Sequence, residues 1–365
     1  MKILHVEMGR HLYGGARQVA YLLNGLKKFP GEYGLVCAAG AEIAGAITNP
    51  EVKIHRIKTK GDVDLQFIGR LRKVIRHEKP DLLHIHSRRG DMLAALGGRL
   101  EKIPMVHSRR VDNPPSFFDL HFKFPLFHKI ITISRGIREV LLDAGVPKAQ
   151  VICIPSAVDT ERFNPVRVNR EGFLDEFGLT GDGPVLAMIA QLIPRKGHMV
   201  FFEALPSILA KHPRTRVLIF GRGPLKDELM RTIQKMGLDK FVRFEGFRTD
   251  LENIIPHFDM VVHPAFMEGL GVSLLEAAAC GVPIVACRAG GIPEIVRDKF
   301  NGFLVKPGDS KSLARHIIAL LDEPDQLQLF SLTGRELVLE NFSIERMVRD
   351  NHQVYVDTLE ARQFK

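Results

Sequence analysis

The stretch Glu268-Gly269-Leu270-Gly271-Val272-Ser273-Leu274-Leu275-Glu276 follows an apolar run, Met260–His263, that reads as a strand. Glycines at 269 and 271 remove side chains from the loop. A helix starting behind them presents unsatisfied backbone N–H groups and the positive end of its dipole. That combination binds anions and suits a diphosphate. Glu268 lies in the loop and Glu276 about two helical turns further on. One carboxylate can accept hydrogen bonds from sugar hydroxyls and the other from a ribose diol. Taken alone, a glycine-containing loop is weak evidence, and a plain strand-loop-helix with two solvated glutamates would look the same.

Other segments add chemistry. Pro194-Arg195-Lys196-Gly197 follows the apolar run Val185–Ile189, and adjacent cations at a strand's carboxyl end suit phosphates, with Arg able to grip two oxygens at once. Gly14-Gly15 after the first apolar run lets backbone approach a ligand closely. It lacks the G-x-G-x-x-G spacing of dinucleotide binders, which argues against an oxidoreductase. His86-Ser87-Arg88-Arg89 recurs as His107-Ser108-Arg109-Arg110, each after an apolar run. Arg88, Arg89, Arg109 and Arg110 together suit an anionic acceptor; the alternative is a pair of basic loops closed by internal salt bridges. Asp62-Val63-Asp64 has the spacing of a metal-binding carboxylate pair, but it precedes a helical pattern and reads as a helix start. No metal is expected. His5, His84 and His263 lie in apolar runs and read as satisfied core residues.

The elements that must position these groups alternate along the chain. Short apolar runs read as strands at Ile3–Val6, Gly34–Ala38, Leu82–His86, Met105–His107, Ile130–Ile133, Val151–Ile154, Val185–Ile189, Arg216–Phe220, Val242–Phe244, Met260–His263 and Ile284–Ala286. Helical stretches separate them; Leu65–His77 carries Leu65, Ile68, Leu71 and Ile75 on one face and Arg70, Arg72, Lys73 and Arg76 off it. Such alternation predicts parallel sheets covered by helices, the α/β class. With 365 residues, two domains are expected. The punctuated segment Ile154-Pro155 through Phe163-Asn164-Pro165 suits a hinge. The expected division is 1–165 as an acceptor-binding domain, 166–345 as a nucleotide-sugar domain, and 346–365 as a C-terminal helix returning to the first. Ligands of such sheets bind at the carboxyl ends of the strands, so a cleft between the domains is where chemistry is expected.

Charge is distributed unevenly. Residues 1–160 hold 25 Lys/Arg against 15 Asp/Glu, a balance of +10; residues 161–365 hold 26 against 27, a balance of −1. An anionic partner of the first half would explain this, and so would solubility alone. Nucleic acid is disfavoured, because neither an aromatic-basic sheet signature nor a helix-turn-helix pattern is present. No apolar run approaches the length of a membrane span. The four cysteines lack metal or redox spacing and suit a reducing cytoplasm. Phe117, Phe118, Phe122, Phe124 and Phe127 crowd one basic, proline-containing segment. It reads equally as a membrane-dipping or acceptor-cradling surface and as core.

Taken in order, these pieces resemble glycosyltransferase family 4, retaining enzymes of the GT-B fold with two Rossmann-like domains. The resemblance runs nearly end to end: Gly14-Gly15, Ile154-Pro155 with Val158-Asp159, Pro194-Arg195-Lys196-Gly197, Gly221-Arg222-Gly223-Pro224, Glu268 through Glu276, Gly281-Val282-Pro283, Gly290-Gly291-Ile292-Pro293-Glu294 and Asn301-Gly302-Phe303. It implies that Glu268 contacts the donor sugar and Glu276 the ribose. Gly269, Leu270 and Gly271 would line the donor, and Arg195 and Lys196 would hold its diphosphate. Gly14-Gly15 would close over it from the first domain, and His107 would lie near the reacting carbon. Catalytic weight would then fall on His107, Lys196 and Glu268. The implied activity is metal-independent, retaining hexosyl transfer from a UDP- or GDP-linked sugar to a glycan or glycolipid acceptor such as lipopolysaccharide core. The implied location is the cytoplasm, at the inner face of the membrane. A small soluble acceptor is the alternative, and a silent sugar-nucleotide sensor is disfavoured by the intact Glu268, Glu276, Arg195 and Lys196. Two departures stand out: Gln191 occupies a position usually held by arginine, and Ser156-Ala157 replaces Asn-Gly after the hinge proline.

Overall fold

A computed structural model describes residues 1–59, 64–86, 90–166 and 169–363. The chain forms two compact units, Met1–Ala157 with Ile344–Lys365, and Val158–Ser343. In the first unit seven strands, β1 (Lys2–Glu7), β2 (Glu32–Ala38), β3 (Lys53–Ile57), β4 (Leu82–Ile85), β5 (Met105–Arg109), β6 (Lys129–Thr132) and β7 (Val151–Cys153), form one sheet in the order β3-β2-β1-β4-β5-β6-β7. In the second, β8 (Val185–Ile189), β9 (Arg216–Phe220), β10 (Val242–Gly246), β11 (Met260–His263), β12 (Ile284–Cys287) and β13 (Gly302–Val305) are ordered β10-β9-β8-β11-β12-β13. All the pairings are parallel.

Near-continuous apolar strands explain the burial. β8 (VLAMI) and β12 (IVAC) are buried at every position, as strands covered by helices on both faces must be. In each sheet the winding reverses between the first strand and the fourth in chain order, β1 beside β4 and β8 beside β11. Loops leaving the carboxyl ends of neighbouring strands diverge at such a reversal, which opens a crevice for ligands.

Two strands absent from the expected set are present. β3, Lys-Ile-His-Arg-Ile, is an edge strand with only Ile57 fully buried, so its sequence lacks an apolar run. β13 begins at Gly302, where a Cβ would stand 2.4 Å from the Ile284 carbonyl oxygen; the glycine permits the close pairing and also masks the strand signal.

The division between units falls between Ala157 and Val158, ahead of the expected 165. Val158 donates its N–H to the Phe342 carbonyl and bridges Ser343, while Arg162 bonds the Thr249 carbonyl and the Glu252 carboxylate. These ties draw residues 158–165 into the second unit. The final helix, Ile344–Gln363, belongs to the first. It contributes buried Met347, Val348, Val354 and Tyr355 to the core around β1, β4 and β5.

Within that core the rings of His5, His84 and His86 lie against one another. His5 Nδ1 lies 2.9 Å from His86 Nε2, while His84 meets the Tyr355 hydroxyl at 2.7 Å and the Ser108 hydroxyl at 2.8 Å. Burial pushes all three imidazoles down and keeps them neutral. Their ligand atoms lie within 4.8 Å of one another, but both ring nitrogens of His84 already have partners. The reading of His5 and His84 as core residues fits this arrangement. Tyr355→Phe should therefore leave His84 Nδ1 unsatisfied and destabilise the protein by about 1–3 kcal/mol. Urea unfolding measures this; an unchanged midpoint would mean the hydroxyl contributes nothing to the docking of the final helix.

Candidate active site

Three loops leave the carboxyl edge of the second sheet side by side, from β8, β11 and β12. The β8 loop carries a 3₁₀ turn, Pro194–Lys196, ended by Gly197 at φ +74°. A Cβ at Gly197 would stand 2.0 Å from the Pro264 carbonyl oxygen, so only glycine lets this turn lie against the β11 loop. The Phe266 N–H then donates to the Arg195 carbonyl at 2.8 Å. From the other side, Gly291 donates its N–H to the Glu268 carbonyl at 3.1 Å, and a Cβ on Gly290 would collide with that same oxygen. The helix Val272–Ala279 starts behind Gly271, at φ +98°, and is pinned where Ser273 Oγ donates to the Ile189 carbonyl ending β8. The backbone of Glu268 is thus held by neighbours on both sides at the point where the winding reverses.

Its side chain is held as firmly. Lys196 Nζ lies 2.5 Å and His263 Nε2 2.8 Å from Glu268 Oε2, and the Gly269 N–H donates to Oε1 at 3.1 Å. Burial alone would raise this carboxyl, but hydrogen bonds and charge from His263 and Lys196 outweigh it and hold the pKa down to about 2. Glu268 is therefore a carboxylate at any physiological pH. Because an ionised carboxylate only accepts, His263 must present Nε2 as N–H. Lys196 is buried and Arg195 beside it is exposed. Glu276, one turn into the helix, is also buried, and Leu270 packs inward as an apolar prop.

His263 was expected to be an ordinary core residue. It is buried, yet it bonds Glu268 directly. The available signal was its place as the last residue of β11, at the carboxyl edge where ligands gather.

In the first unit, His107 is the middle residue of β5, with Nδ1 3.2 Å from the Ile85 carbonyl and its ring stacked on Phe127. Burial and the nearby Lys123 and Arg109 charges push its pKa down to about 3, so the imidazole is neutral. Nδ1 then carries the proton and Nε2 is the acceptor. Of the four arginines grouped as acceptor contacts, Arg88 and Arg89 lie outside the described residues. Arg109 is buried, bonds the Asn113 carbonyl and lies over the Phe124 ring. Arg110, among the described residues, makes one long side-chain contact, 3.5 Å, to Ser156 Oγ. Burial lowers its pKa to about 10, partly offset by the charge of Glu7. Glu7, which ends β1, was not anticipated; burial raises its carboxyl against the Gly9 N–H and Arg110. A Cβ at Gly15 would come within 3.4 Å of Arg110 Cδ, whereas Gly14 faces open space. Gly15 thus leaves room for the arm of Arg110.

Asp64 starts the helix Leu65–Glu78 and pairs with Arg70; Asp62 lies outside the described residues. The phenylalanine segment divides. Phe124 and Phe127 are buried, while Phe117, Phe118 and Phe122 are 71%, 50% and 54% exposed and cluster around one another. Among the described residues no helix is long and apolar enough to cross a membrane.

Comparison with known proteins matches two family descriptions, glycosyltransferase family 4 over residues 13–162 and glycosyl transferases group 1 over residues 169–337. The chain is 33% identical over 226 residues to a GDP-mannose-dependent alpha-(1-6)-phosphatidylinositol monomannoside mannosyltransferase of Mycolicibacterium smegmatis, covering 58% of this chain and 57% of that one. It is 33% identical over 313 residues, 80% of both chains, to the glycosyltransferase EpsD of Bacillus subtilis. Its fold matches that of Anabaena HepE, crystallised with UDP and glucose, at a TM-score of 0.86 and 20% identity over 98% of this chain and 99% of that one. The two descriptions between them take in both the Gly14-Gly15 turn and the Glu268 loop, and the chain belongs to the GT-B glycosyltransferases of family 4.

Proposed function

We propose that this protein is a retaining hexosyltransferase that takes its sugar from UDP or GDP and delivers it to a hydroxyl of an anionic or lipid-linked glycan such as lipopolysaccharide core. The observation that carries the reading is the meeting of Lys196, Glu268 and the start of the helix Val272–Ala279 at the strand reversal. A diphosphate fits there: the helix offers N–H groups, Arg195 and Lys196 offer charge, and Gly269 and Gly271 keep side chains out of the way. Glu268 receives the donor sugar, Leu270 helps to line its site, and Glu276 receives the ribose.

The chemistry follows from charge. Breaking the bond between the anomeric carbon and the phosphate oxygen leaves the electron pair on the nucleoside diphosphate. Lys196, Arg195 and the helix N–H groups stabilise that growing charge, which is the role a metal ion would otherwise fill. Lys196 has three N–H bonds, so one can stay on Glu268 while the others turn to phosphate. The acceptor oxygen attacks the face the phosphate leaves, and its proton passes to the departing phosphate oxygen. The new bond forms on the old face, and configuration is retained. The reading gives neutral His107, with Nε2 as acceptor, a catalytic role, and Gly14 and Gly15 a part in donor binding. Arg110, whose guanidinium makes a 3.5 Å contact to Ser156 Oγ and lies beside Glu7 and Gly15, is the arginine assigned to an anionic acceptor group. Arg88, Arg89 and Arg109 complete the proposed acceptor contacts, Arg109 through the loop it braces. The exposed Phe117, Phe118 and Phe122, in the half of the chain carrying +10, suit contact with an anionic membrane surface. The phosphatidylinositol-linked acceptor named for the mycobacterial relative agrees with a lipid-borne substrate.

Lys196→Ala should lower kcat by about a hundredfold or more, because its charge acts mainly on the leaving group; steady-state kinetics with the preferred donor measures it, and an unchanged kcat would count against the assignment. Transfer should also proceed at full rate in EDTA, assayed with membranes from cells lacking glycan extensions beside small soluble acceptors. Activity restored only by Mg²⁺ or Mn²⁺ would overturn the metal-free mechanism, and transfer confined to the small acceptors would remove the glycan assignment.

A further inference from the structure

Glu268 has more donors than a sugar-reading carboxylate needs. Two of them, Lys196 Nζ and His263 Nε2, converge on the same oxygen, Oε2, at 2.5 and 2.8 Å. The other oxygen, Oε1, accepts, among the described residues, only the Gly269 N–H, at 3.1 Å. A carboxylate offers about four lone-pair positions. Oε2 is thus filled from inside the protein, and one position remains, on Oε1.

Lys196 cannot do this work alone. It is a flexible ammonium that the leaving diphosphate competes for. His263 is different in kind: it ends β11, is 1% exposed, and its ring is fixed by the sheet beneath it. Its remaining nitrogen, Nδ1, is buried without a hydrogen-bond partner, so nothing but Glu268 rewards its polar character. Behind it His198, the first residue of the helix His198–Lys211, is also buried, with neither ring nitrogen partnered. An apolar residue at 263 would suit such a setting better if packing were its only role.

We infer that His263 is a positioning residue for donor-sugar recognition, locking Glu268 Oε2 so that Oε1 alone is presented to a single sugar hydroxyl. The inference rests on the proposed role of Glu268 and deepens it. His263 does not touch the substrate. It keeps the carboxylate in place while Lys196 turns toward the phosphate, and its hydrogen bond helps keep that carboxylate ionised. The groups facing Glu268 are Lys196 from the β8 loop and His263 from β11, with His198 one step behind. Removing His263 raises the carboxyl pKa. The ionised form is then lost at a higher pH on the way down, so the acid limb of the rate profile moves upward.

The test compares His263→Phe, His263→Asn and His263→Gln with Glu268→Gln as reference, using UDP, GDP, UDP-glucose, UDP-galactose and GDP-mannose as probes. Gln can place an amide N–H near the position of the lost Nε2–H, whereas Asn is too short. The expected result is a fall in kcat of about ten- to hundredfold for Phe and Asn, recovery to within about threefold of the parent for Gln, and an acid limb shifted upward in Phe and Asn alone. Affinity for free UDP or GDP should be unchanged, while the extra affinity the attached sugar provides is lost. Should the Phe variant fail to fold, the Asn and Gln pair decides the matter. Equal kcat and an unmoved acid limb in Asn and Gln, alongside an inactive Glu268→Gln, would overturn the role of His263 and leave that of Glu268 standing. Full turnover by Glu268→Gln would overturn both.

Discussion

The second unit is organised around one buried carboxylate that must stay charged. Moving Glu268 out of water is costly, and the fold meets that cost with a lysine, an imidazole N–H and a backbone amide within hydrogen-bond reach. The imidazole and the amide come from β11 and its own loop but the lysine comes from the β8 loop, so the ion pair can exist only if the loops of β8 and β11 meet. Gly197 and Gly290 permit the approach, since a side chain at either position would strike a neighbouring carbonyl. The ion pair is in this sense a reporter of the sheet order. A sheet that did not set β8 beside β11 could not form it.

The same contacts prepare the site for an anion. Lys196 and Glu268 cancel each other's charge while the site is unliganded, which limits the cost of burying either. A diphosphate brings negative charge to a place that already holds a lysine, an exposed arginine and the start of a helix, and none of these has to travel far. On the proposed reading, glutamine at position 191 leaves the diphosphate to Arg195 and Lys196. Electrostatics that are in place before the reaction lower a barrier more than groups that must reorganise during it.

Most of this architecture was readable from residue types. Eleven strands followed from apolar runs, and the Glu268 loop, the Arg195-Lys196 turn and the Gly14-Gly15 turn were legible because glycine and charge at strand ends have few other uses. What escaped notice depends on tertiary neighbours. β3 is an edge strand whose polar residues hide its pairing, and β13 opens on a glycine selected by a carbonyl across the sheet. The compact units divide ahead of the expected residue because Val158 and Arg162 are anchored by residues far along the chain, near 342 and 250. His263 read as a core residue from its apolar run, and nothing in the sequence drew attention to Glu7; the geometry of the strand ends sets them beside Glu268 and Arg110. Arg109 and Arg110, adjacent and alike in sequence, part company for the same reason, one bonding the Asn113 carbonyl of the following loop and the other reaching toward Ser156 and Glu7.

The central claim is that a nucleoside diphosphate is gripped where the helix Val272–Ala279 begins. A crystal structure of the protein grown with UDP or GDP tests it most directly. The account predicts phosphate oxygens within hydrogen-bond distance of Lys196 Nζ and the backbone N–H groups around Gly271, with Glu268 still bonded to His263. Diphosphate density elsewhere on the protein, or none at saturating nucleotide, would contradict it.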